Sequence, residues 1–264
     1  NSRMRELSDK RAIAAMPVAG SYRSIDFALS NMANSHVQKV AVLTQYNARS
    51  LNEHLSSSKW WDFGRKQGGL FVFPPTITKD NSLWYQGTAD AIYQNIDFLK
   101  KSHEPYVVIA SGDCIYKMDY NKVLDFHISK RADITVVCTT CKDQSEVERF
   151  GVVRMNDDCR IEEFEEKPIV SNYNTISTGI YVIRRRQLIE LLERAAQEGR
   201  HDFVNDILIR YKNLKRIYGY KIDTYWSNIS TAEAYYRTNM AFLQPEIRNY
   251  FFKQEPTIKT KIDD

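Results

Sequence analysis

The feature that most constrains this chain is an apolar run that ends in a Ser-Gly-Asp turn. Residues 106–110 read Tyr-Val-Val-Ile-Ala, and residues 111–113 read Ser-Gly-Asp. A short, continuous apolar run is typical of a fully buried strand of the parallel type. Ligands of open α/β sheets bind at the carboxyl ends of such strands. Asp113 is therefore predicted to lie where a metal ion or a phosphate group binds.

Strand-like and helix-like segments alternate through the first half of the chain. Apolar runs predict strands over 40–44, 107–110 and 134–138. Helical spacing of apolar residues predicts helices over 90–101 and 121–130. Strands that alternate with helices are typical of βαβ units, so the chain is predicted to be α/β with a mixed, mostly parallel sheet.

The second half of the chain carries shorter strands and two further helices. Strands are predicted over 151–154, 161–164 and 178–183, and helices over 187–197 and 231–243. A glycine, Gly199, is expected to end the first of these helices.

Two segments carry no repeating pattern. Residues 56–80 are polar and aromatic, with a Gly-Gly and a Pro-Pro pair, and are predicted to form a surface loop. The tail after Pro245 is charged and has no clear pattern.

Composition narrows the class of protein. The chain has 264 residues, 43% of them hydrophobic, which is enough for one large domain or two modest ones. Its 37 basic and 33 acidic residues give a net charge of +4 and are mixed along the chain, which argues against nucleic-acid binding. No stretch approaches the roughly 18 apolar residues of a membrane span. The chain begins with Asn1 and shows no signal peptide, so we expect a segment upstream.

The four cysteines do not form a zinc motif. Cys138 and Cys141 have CxxC spacing, but Cys114 and Cys159 do not supply a second pair. Cys138 lies in a predicted strand, which favours a buried apolar role over a redox thiol. Reduced cysteines and a cytoplasmic setting are expected.

An ordered set of motifs gives a specific resemblance. The segments that carry it are 22–27 (Tyr-Arg-Ser-Ile-Asp-Phe), 29–31 (Leu-Ser-Asn), 43–46 (Leu-Thr-Gln-Tyr), 84–91 (Trp-Tyr-Gln-Gly-Thr-Ala-Asp-Ala), 111–113 (Ser-Gly-Asp), 150–152 (Phe-Gly-Val), 166–168 (Glu-Lys-Pro), 179–181 (Gly-Ile-Tyr), 201–203 (His-Asp-Phe) and 225–235 (from Tyr-Trp through Tyr235). Over nearly its whole length the chain resembles bacterial glucose-1-phosphate adenylyltransferases, also called ADP-glucose pyrophosphorylases.

The resemblance implies a reaction and an architecture. The family joins ATP and glucose 1-phosphate into ADP-glucose and pyrophosphate, uses Mg²⁺, and serves glycogen biosynthesis. Its Rossmann-like catalytic domain, expected here over residues 1–244, is followed by a left-handed β-helix, and its subunits form tetramers. Residues 245–264 are expected to begin the linker to that β-helix, which is absent from this chain.

The resemblance also implies a nucleotide and metal side. Asp113 matches a metal-binding aspartate, although an aspartate after glycine is also an ordinary turn residue. Arg3 matches the arginine that acts on the ATP phosphates. The positions around adenine and ribose are Gln45, Tyr85, Gly87 and Thr88. Tyr85 is equally well explained as a core aromatic, whereas Gly87 suits a backbone that a base approaches closely.

A second group would bind the sugar phosphate. Lys167 matches the lysine that receives the phosphate of glucose 1-phosphate, and Glu166 matches a residue that binds sugar hydroxyls. Ser177 and residues beside Tyr181 would line the same pocket. From the sequence alone, a solvated lysine in a charged run is the better interpretation of Lys167, so its functional role depends on the resemblance.

Two further motifs are interpreted as structural. Arg23 and Asp26 are predicted to form a fixed ion pair near a helix start. His201, with Asp202 and Asp206, is interpreted as a polar loop, and no chemical step is assigned to it.

Three positions depart from the family pattern, all on the ATP and metal side. Asn1 stands at a glycine of the phosphate loop and would crowd or reshape it. Ile13 stands where a lysine neutralises phosphate charge, and losing one such group typically costs on the order of 10²–10³ in rate. Asn228 stands where a second aspartate binds the metal; its carbonyl can coordinate, but it brings no charge.

The departures favour a weakly active or regulatory GlgD-type subunit that assembles with a catalytic paralogue, in a hetero-tetramer or a homo-oligomer. Three alternatives stay open. One is a fully active adenylyltransferase with Asp113 alone holding Mg²⁺. Another is a sugar-1-phosphate nucleotidyltransferase that uses UTP or dTTP. The last is an assembly subunit that binds no ligand.

Overall fold

The structure, a computed structural model, describes residues 17–44, 48–55, 69–73 and 86–260. The strands are β1 (Pro17–Val18), β2 (Tyr22–Arg23), β3 (Lys39–Leu43), β4 (Gly69–Phe73), β5 (Tyr106–Ala110), β6 (Cys114–Tyr116), β7 (Ile134–Thr140), β8 (Gly151–Met155), β9 (Ile161–Glu166), β10 (Thr175–Arg184), β11 (Ile217–Ile222) and β12 (Trp226–Asn228). The α-helices are α1 (Ser24–Asn34), α2 (Ala48–Leu55), α3 (Thr88–Gln94), α4 (Ile96–Lys101), α5 (Tyr120–Ser129), α6 (Arg185–Gln197), α7 (Ala232–Ala241) and α8 (Pro245–Phe252).

The chain divides into two compact units. Of the described residues, unit 1 takes 17–44, 48–55, 69–73, 111–120 and 224–260, and unit 2 takes 86–110 and 121–223. The chain therefore enters and leaves unit 1 more than once, so each unit is built from segments that are distant in sequence.

A mixed sheet forms the frame of unit 2. Its order is β11-β7-β10-β8-β9, and β5 also pairs with β10. β10 runs antiparallel to β5, β7 and β8, whereas β11 runs parallel to β7. Among the described strands of this sheet, β5, β7, β8 and β11 point one way and β9 and β10 the other. The predicted mixed α/β sheet is confirmed.

β5 differs from its prediction in burial and in the direction of its partner. All of its residues are half-buried, and it pairs antiparallel with β10, with Ala110 opposite Ile180. The expectation of a fully buried strand of the parallel type is wrong for the pairing that the structure describes. The reason is that β10, which runs in the opposite direction, lies along β5.

The helices of unit 2 follow their predicted periodicity with one break. In α6, Leu188, Leu191 and Leu192 are buried in the core against the sheet, and Gly199 with φ +68° follows the helix as predicted. The single helix predicted over 90–101 is two helices, α3 and α4. The amide of Asn95, between them, donates to the carbonyl of Ala91 at 2.9 Å, and such side-chain bonds compete with the helical ladder.

Unit 1 contains a strand that the sequence pattern did not indicate. β4 lies inside the segment predicted as a loop over 56–80, and it pairs in parallel with β3. The prediction is wrong for residues 69–73, because the run Gly-Leu-Phe-Val-Phe is long enough to form a strand beside β3. The rest of that segment lies outside the described residues.

Residues after Pro245 form a helix in unit 1, where the sequence showed no pattern. α8 starts with Pro245 in its first turn, and Phe251 is fully buried against Phe27 and Phe242. The Nζ of Lys117 donates to the carbonyls of Tyr250 at 2.6 Å and Gln254 at 2.7 Å, at the end of the helix. These bonds satisfy carbonyls that a helix end leaves without partners.

The cysteines agree with their prediction. All four cysteines are free thiols, and Cys138 is fully buried in β7. Burial raises the pKa of the Cys138 thiol to about 12, which fits an apolar core role. Of the described helices, none has the length and apolar character needed to cross a membrane.

Candidate active site

Asp113 lies in the turn between β5 and β6, the position predicted for it. In unit 1, one of its carboxylate oxygens, Oδ1, accepts a hydrogen bond from the hydroxyl of Ser111. The thiol of Cys114 donates to the same oxygen, with Sγ 3.6 Å away. The backbone carbonyl of Asp113 accepts from the N–H of Ile229 at 3.0 Å. The carboxylate is therefore held by neighbours on both sides along the chain.

Asn228 lies beside Asp113 because β12 pairs with β6. The two strands are antiparallel, and Asn228 stands opposite Cys114. Its amide nitrogen donates to the Sγ of Cys114 at 3.6 Å. Its carbonyl oxygen accepts from the N–H of Ser230 at 2.9 Å and from the Ser230 hydroxyl. The structure thus brings together the two residues that were predicted as metal ligands, with one thiol between them.

The thiol between them stays protonated. Burial, and then the charge of Asp113, raise the pKa of the Cys114 thiol well above its ordinary value. A neutral thiol donates to the Asp113 carboxylate and accepts from the Asn228 amide, so it links the two side chains.

The donor set here could supply one carboxylate oxygen to a magnesium ion, so its other ligands would have to come from a bound anion such as phosphate. Among the described residues, no group of three or more His, Cys, Asp or Glu side chains is placed to hold a metal. The Oδ2 of Asp113 has no hydrogen-bond partner among those residues, so it can face a cation. The Asn228 oxygen already accepts two bonds from Ser230. Mg²⁺ is commonly bound by one or two carboxylates together with phosphate oxygens.

Glu166 and Lys167 lie at the end of β9 in unit 2. β9 pairs with β8 so that Glu166 stands opposite Gly151. The N–H of Lys167 donates to the carbonyl of Phe150 at 3.1 Å, and Lys167 has φ +47°. Non-glycine residues rarely adopt this left-handed conformation, and it is often found at functional sites. The Lys167 side chain is exposed.

Glu166 is half-buried among groups of both signs. Burial raises the pKa of its carboxyl, the charge of Lys167 lowers it, and the charge of Asp202 raises it. The net shift is upward. Beside it, the pKa of the Tyr181 phenol is raised, chiefly by burial, while a hydrogen bond to Ser177 acts in the opposite direction.

Ser177 lies in β10 at an irregularity of the sheet. The pairing of β10 with β7 shifts register between Ser177 and Tyr181, and Gly179 between them has φ +78°. The Ser177 hydroxyl accepts from the N–H of Gly179 at 3.3 Å. Ser177 is 8% exposed, so its hydroxyl is mainly engaged within the protein. Ser177 and Glu166 therefore both lie near Tyr181, and their role in lining one pocket stays a prediction.

Gly87 is required by a contact inside the chain. A Cβ at this position would lie 2.5 Å from the carbonyl oxygen of His201. The same oxygen accepts from the N–H groups of Ala89 at 2.9 Å and Asp90 at 3.2 Å, in the first turn of α3. The close approach that the glycine permits is thus made by His201, which accounts for the glycine without a bound base. The nucleotide role of Gly87 and Thr88 stays a prediction.

Asp26 is structural, but its partners differ from those predicted. Its carboxylate accepts from the backbone N–H of Arg23 at 2.7 Å, which caps α1, and it pairs with the Nε2 of His54 at 2.5 Å. The expected ion pair with the Arg23 guanidinium is not formed, because Arg23 supplies its backbone and His54 supplies the side chain.

Five positions of the sequence interpretation lie outside the described residues: Asn1, Arg3, Ile13, Gln45 and Tyr85. Their roles stay predictions.

Sequence reasoning missed the serines that hold the metal-side residues. Ser111 stands two residues before Asp113, and Ser230 stands two residues after Asn228. A hydroxyl at this distance from an Asp or Asn is a familiar turn pattern, and this signal could have found both. The partners of Asp206, described below, depend on a loop conformation that spacing alone does not give.

Comparison with known proteins agrees with this architecture. The profile of the nucleotidyl transferase family matches residues 1–245, and the chain belongs to that family. Three similar relatives bear the name glucose-1-phosphate adenylyltransferase. The protein of Thermosipho melanesiensis is 40% identical over 246 residues, that of Clostridium novyi 40% over 245, and that of Clostridium acetobutylicum 42% over 245. Each alignment covers 92% of this chain and 60%, 64% and 64% of the relative, respectively, so the chain spans less than two thirds of their length.

Proposed function

We propose that this chain is the nucleotidyltransferase part of a glucose-1-phosphate adenylyltransferase subunit, and that it is a weakly active or regulatory subunit of the GlgD type. The reaction joins ATP and glucose 1-phosphate into ADP-glucose and pyrophosphate for glycogen biosynthesis. One observation carries the regulatory assignment. Asn228, beside Asp113, is an uncharged amide whose oxygen accepts both hydrogen bonds that Ser230 donates.

The reaction requires little covalent chemistry from the protein side chains. The sugar phosphate attacks the α-phosphate of ATP in line, so the protein has to position two anions and neutralise the charge that develops. Lys167 supports this role because its ammonium is exposed on a constrained backbone. Glu166, half-buried beside it, would accept hydrogen bonds from sugar hydroxyls.

Mg²⁺ is the cofactor that the family implies. When bound, it neutralises phosphate charge and stabilises the transition state. Asp113 would hold it through the carboxylate oxygen that Ser111 does not occupy. Asn228 would add a carbonyl only by giving up its bonds to Ser230, so the metal would depend mainly on Asp113 and the substrate phosphates.

A fully active enzyme is the second candidate, and the same Asp113 oxygen favours it. One carboxylate and the substrate phosphates are sufficient for some Mg²⁺ sites. Under this alternative, replacing Ile13 by Lys and Asn228 by Asp would change turnover little. The nearest further alternatives, a UTP- or dTTP-dependent enzyme and an assembly subunit, are tested by the same preparation.

The test is pyrophosphate release by the purified full-length protein with ATP, glucose 1-phosphate and Mg²⁺. The assay is run alone, with Asp113→Asn as control, and mixed with the catalytic paralogue from the same source. We expect little turnover alone and a changed rate or effector response in the mixture, as in a hetero-tetramer. Turnover of about 1 s⁻¹ or more that the control abolishes would overturn the regulatory assignment.

Two companion measurements separate the remaining alternatives. Replacing ATP by UTP or dTTP identifies the base that is used. Thermal shift with glucose 1-phosphate tests for ligand binding, because a ligand of the folded state raises the melting temperature. No shift with any substrate would favour an assembly subunit.

A further inference from the structure

The loop at 201–206 has an organisation that the proposed reaction does not explain. The N–H groups of His201 and Asp202 both donate to the Oδ2 of Asp206, at 3.1 and 2.9 Å. The N–H of Asp206 donates back to the carbonyl of Asp202 at 2.9 Å. One carboxylate therefore fixes the backbone of the two residues that precede the π-helical turn Val204–Ile209.

The first consequence concerns His201. With its N–H held by Asp206, its carbonyl points at the start of α3 and accepts from Ala89 and Asp90. These N–H groups belong to the first helical turn, which has no intrahelical acceptor for them. The neighbouring turn is closed by the Oδ2 of Asp90, which accepts from the N–H of Gln86 at 2.7 Å. The turn at 86–90 is thus anchored to His201.

The second consequence concerns Asp202. Its carboxylate accepts from the N–H of Val204 at 3.0 Å and from the side-chain amide of Asn205 at 2.6 Å. It lies close enough to Glu166 and Tyr181 to raise the pKa of both groups, in addition to the effect of burial. The ring of Phe203, the next residue, packs on Tyr181 with centroids 5.0 Å apart. The same loop therefore lies beside Glu166 and Tyr181.

We propose that Asp206 is a positioning residue that fixes the turn at 86–90, through the carbonyl of His201, to the loop that lies beside Glu166 and Tyr181. This inference rests on the proposed function, in which Glu166 binds the sugar, and on the prediction from the sequence that Gly87 and Thr88 bind the nucleotide. Asp206 itself contacts neither substrate. Its carboxylate sets the geometry of both groups within unit 2.

Three variants and one control test the proposal. Asp206→Ala removes both acceptor oxygens, and Asp206→Asn keeps one oxygen. Arg200→Ala is the matched control, because Arg200 contacts the other oxygen of the same carboxylate, Oδ1, at 3.5 Å. Gly87→Ala disturbs the same contact from the side of the turn, because its Cβ would clash with the His201 carbonyl oxygen. If Asp206→Ala does not fold, Gly87→Ala still tests the contact between His201 and the turn at 86–90.

Two readouts separate positioning from general stability. Amide hydrogen exchange at Ala89 and Asp90 measures, without any ligand, how well their hydrogen bonds to the His201 carbonyl are kept. Calorimetric titration with ATP measures the effect of those bonds on nucleotide affinity. We expect Asp206→Ala to exchange faster at these two amides and to bind ATP about fivefold more weakly, the effect of one lost hydrogen bond. Asp206→Asn should recover most of the protection, and Arg200→Ala should leave both readouts unchanged.

Unchanged exchange in both Asp206→Ala and Gly87→Ala would overturn the proposal. Faster exchange with unchanged ATP affinity would also overturn it, because the turn would then not position a nucleotide. A wild-type protein that binds no ATP would instead contradict the proposed function, so the two failures are distinguishable.

Discussion

The two groups of predicted site residues, one in each unit, differ in how far their polar groups satisfy one another. In unit 1, Asp113 and Asn228 each accept from a serine and both contact the thiol of Cys114. In unit 2, Lys167 is exposed on a left-handed backbone, and Glu166 is half-buried with a raised pKa. A cluster whose members pair with one another is stable without a ligand. A ligand would stabilise a strained lysine beside a partly desolvated carboxyl more than it would stabilise such a paired cluster.

Under the proposed function, the residues predicted to bind the sugar phosphate present an exposed charge on a left-handed backbone, whereas the residues predicted to bind the metal include an uncharged amide at position 228. This asymmetry is what a subunit that senses a sugar phosphate, and turns it over poorly, would need. Four substitutions test it, and they are ordered from the largest expected effect to the smallest.

Asn228→Asp should have the largest effect, because it restores a charged ligand beside Asp113. We expect turnover to rise by on the order of 10², the range for one electrostatic group in an active site. Ser230 already donates to this position and would donate to a carboxylate as well. Pyrophosphate release is the measurement, and Asn213→Asp, which adds the same charge at an exposed turn, is the control.

The same variant allows a second, independent test, which is the effect of Mg²⁺ on its melting temperature. Two carboxylates that share one thiol repel each other, so the melting temperature of Asn228→Asp should depend on Mg²⁺ more strongly than that of the wild type. An unchanged rate together with an unchanged Mg²⁺ dependence would show that the metal does not contact residue 228.

Lys167→Gln tests the other side of the comparison. A charge-assisted hydrogen bond to phosphate contributes about 1.5–3 kcal/mol, so the Kd for glucose 1-phosphate should rise at least about tenfold. Calorimetric titration measures it. Lys142→Gln removes an exposed lysine of the same unit and should leave the Kd unchanged. Equal affinity in both variants would mean that Lys167 is a solvated surface residue.

Most of the secondary structure could be predicted from local patterns, and the exceptions have local causes. Apolar runs of strand length located β3, β5 and β7, and the spacing of Leu188, Leu191 and Leu192 located α6. β4 was missed because the glycines and prolines around it indicated a loop. α8 was missed because its aromatic residues cluster at one end instead of repeating along one face.

Some features of the candidate site follow from residues that are adjacent in sequence, and others depend on contacts between distant segments. The position of Asp113 after an apolar run could be predicted, since strand and turn are adjacent in sequence. The neighbourhood of Asp113 and Asn228 depends on the pairing of β12 with β6, more than 110 residues apart. Only the resemblance pointed to that pair. The His201 carbonyl that requires Gly87 could not be predicted at all, because backbone groups carry no sequence signal.

Lys167→Gly separates the backbone of this position from its charge. Relief of a left-handed residue is worth about 1–2 kcal/mol, and the greater freedom of unfolded glycine offsets about 0.5–1 kcal/mol of it. We therefore expect the free energy of unfolding to rise by about 0.5–1 kcal/mol, while sugar-phosphate binding is lost. Urea unfolding is the measurement. Lys142→Gly, at a residue without positive φ, should lower stability instead. A loss in both variants would show that the Lys167 conformation is unstrained.

Glu166→Gln should have the smallest effect, and its sign follows from the raised pKa. The folded state holds the Glu166 proton more tightly than the unfolded state, chiefly because burial disfavours the charged carboxylate. Stability is therefore lost as pH rises from the ordinary glutamate range through the raised pKa, and the loss persists above it. The glutamine variant lacks this loss, so it should be slightly more stable than wild type at pH 7 and equal to it well below pH 4.5.

Urea unfolding across this pH range measures the difference in stability between Glu166→Gln and wild type. Because Lys167 opposes the shift, the difference should grow in the Lys167→Gln background, and a constant difference at all pH values would assign it to packing instead.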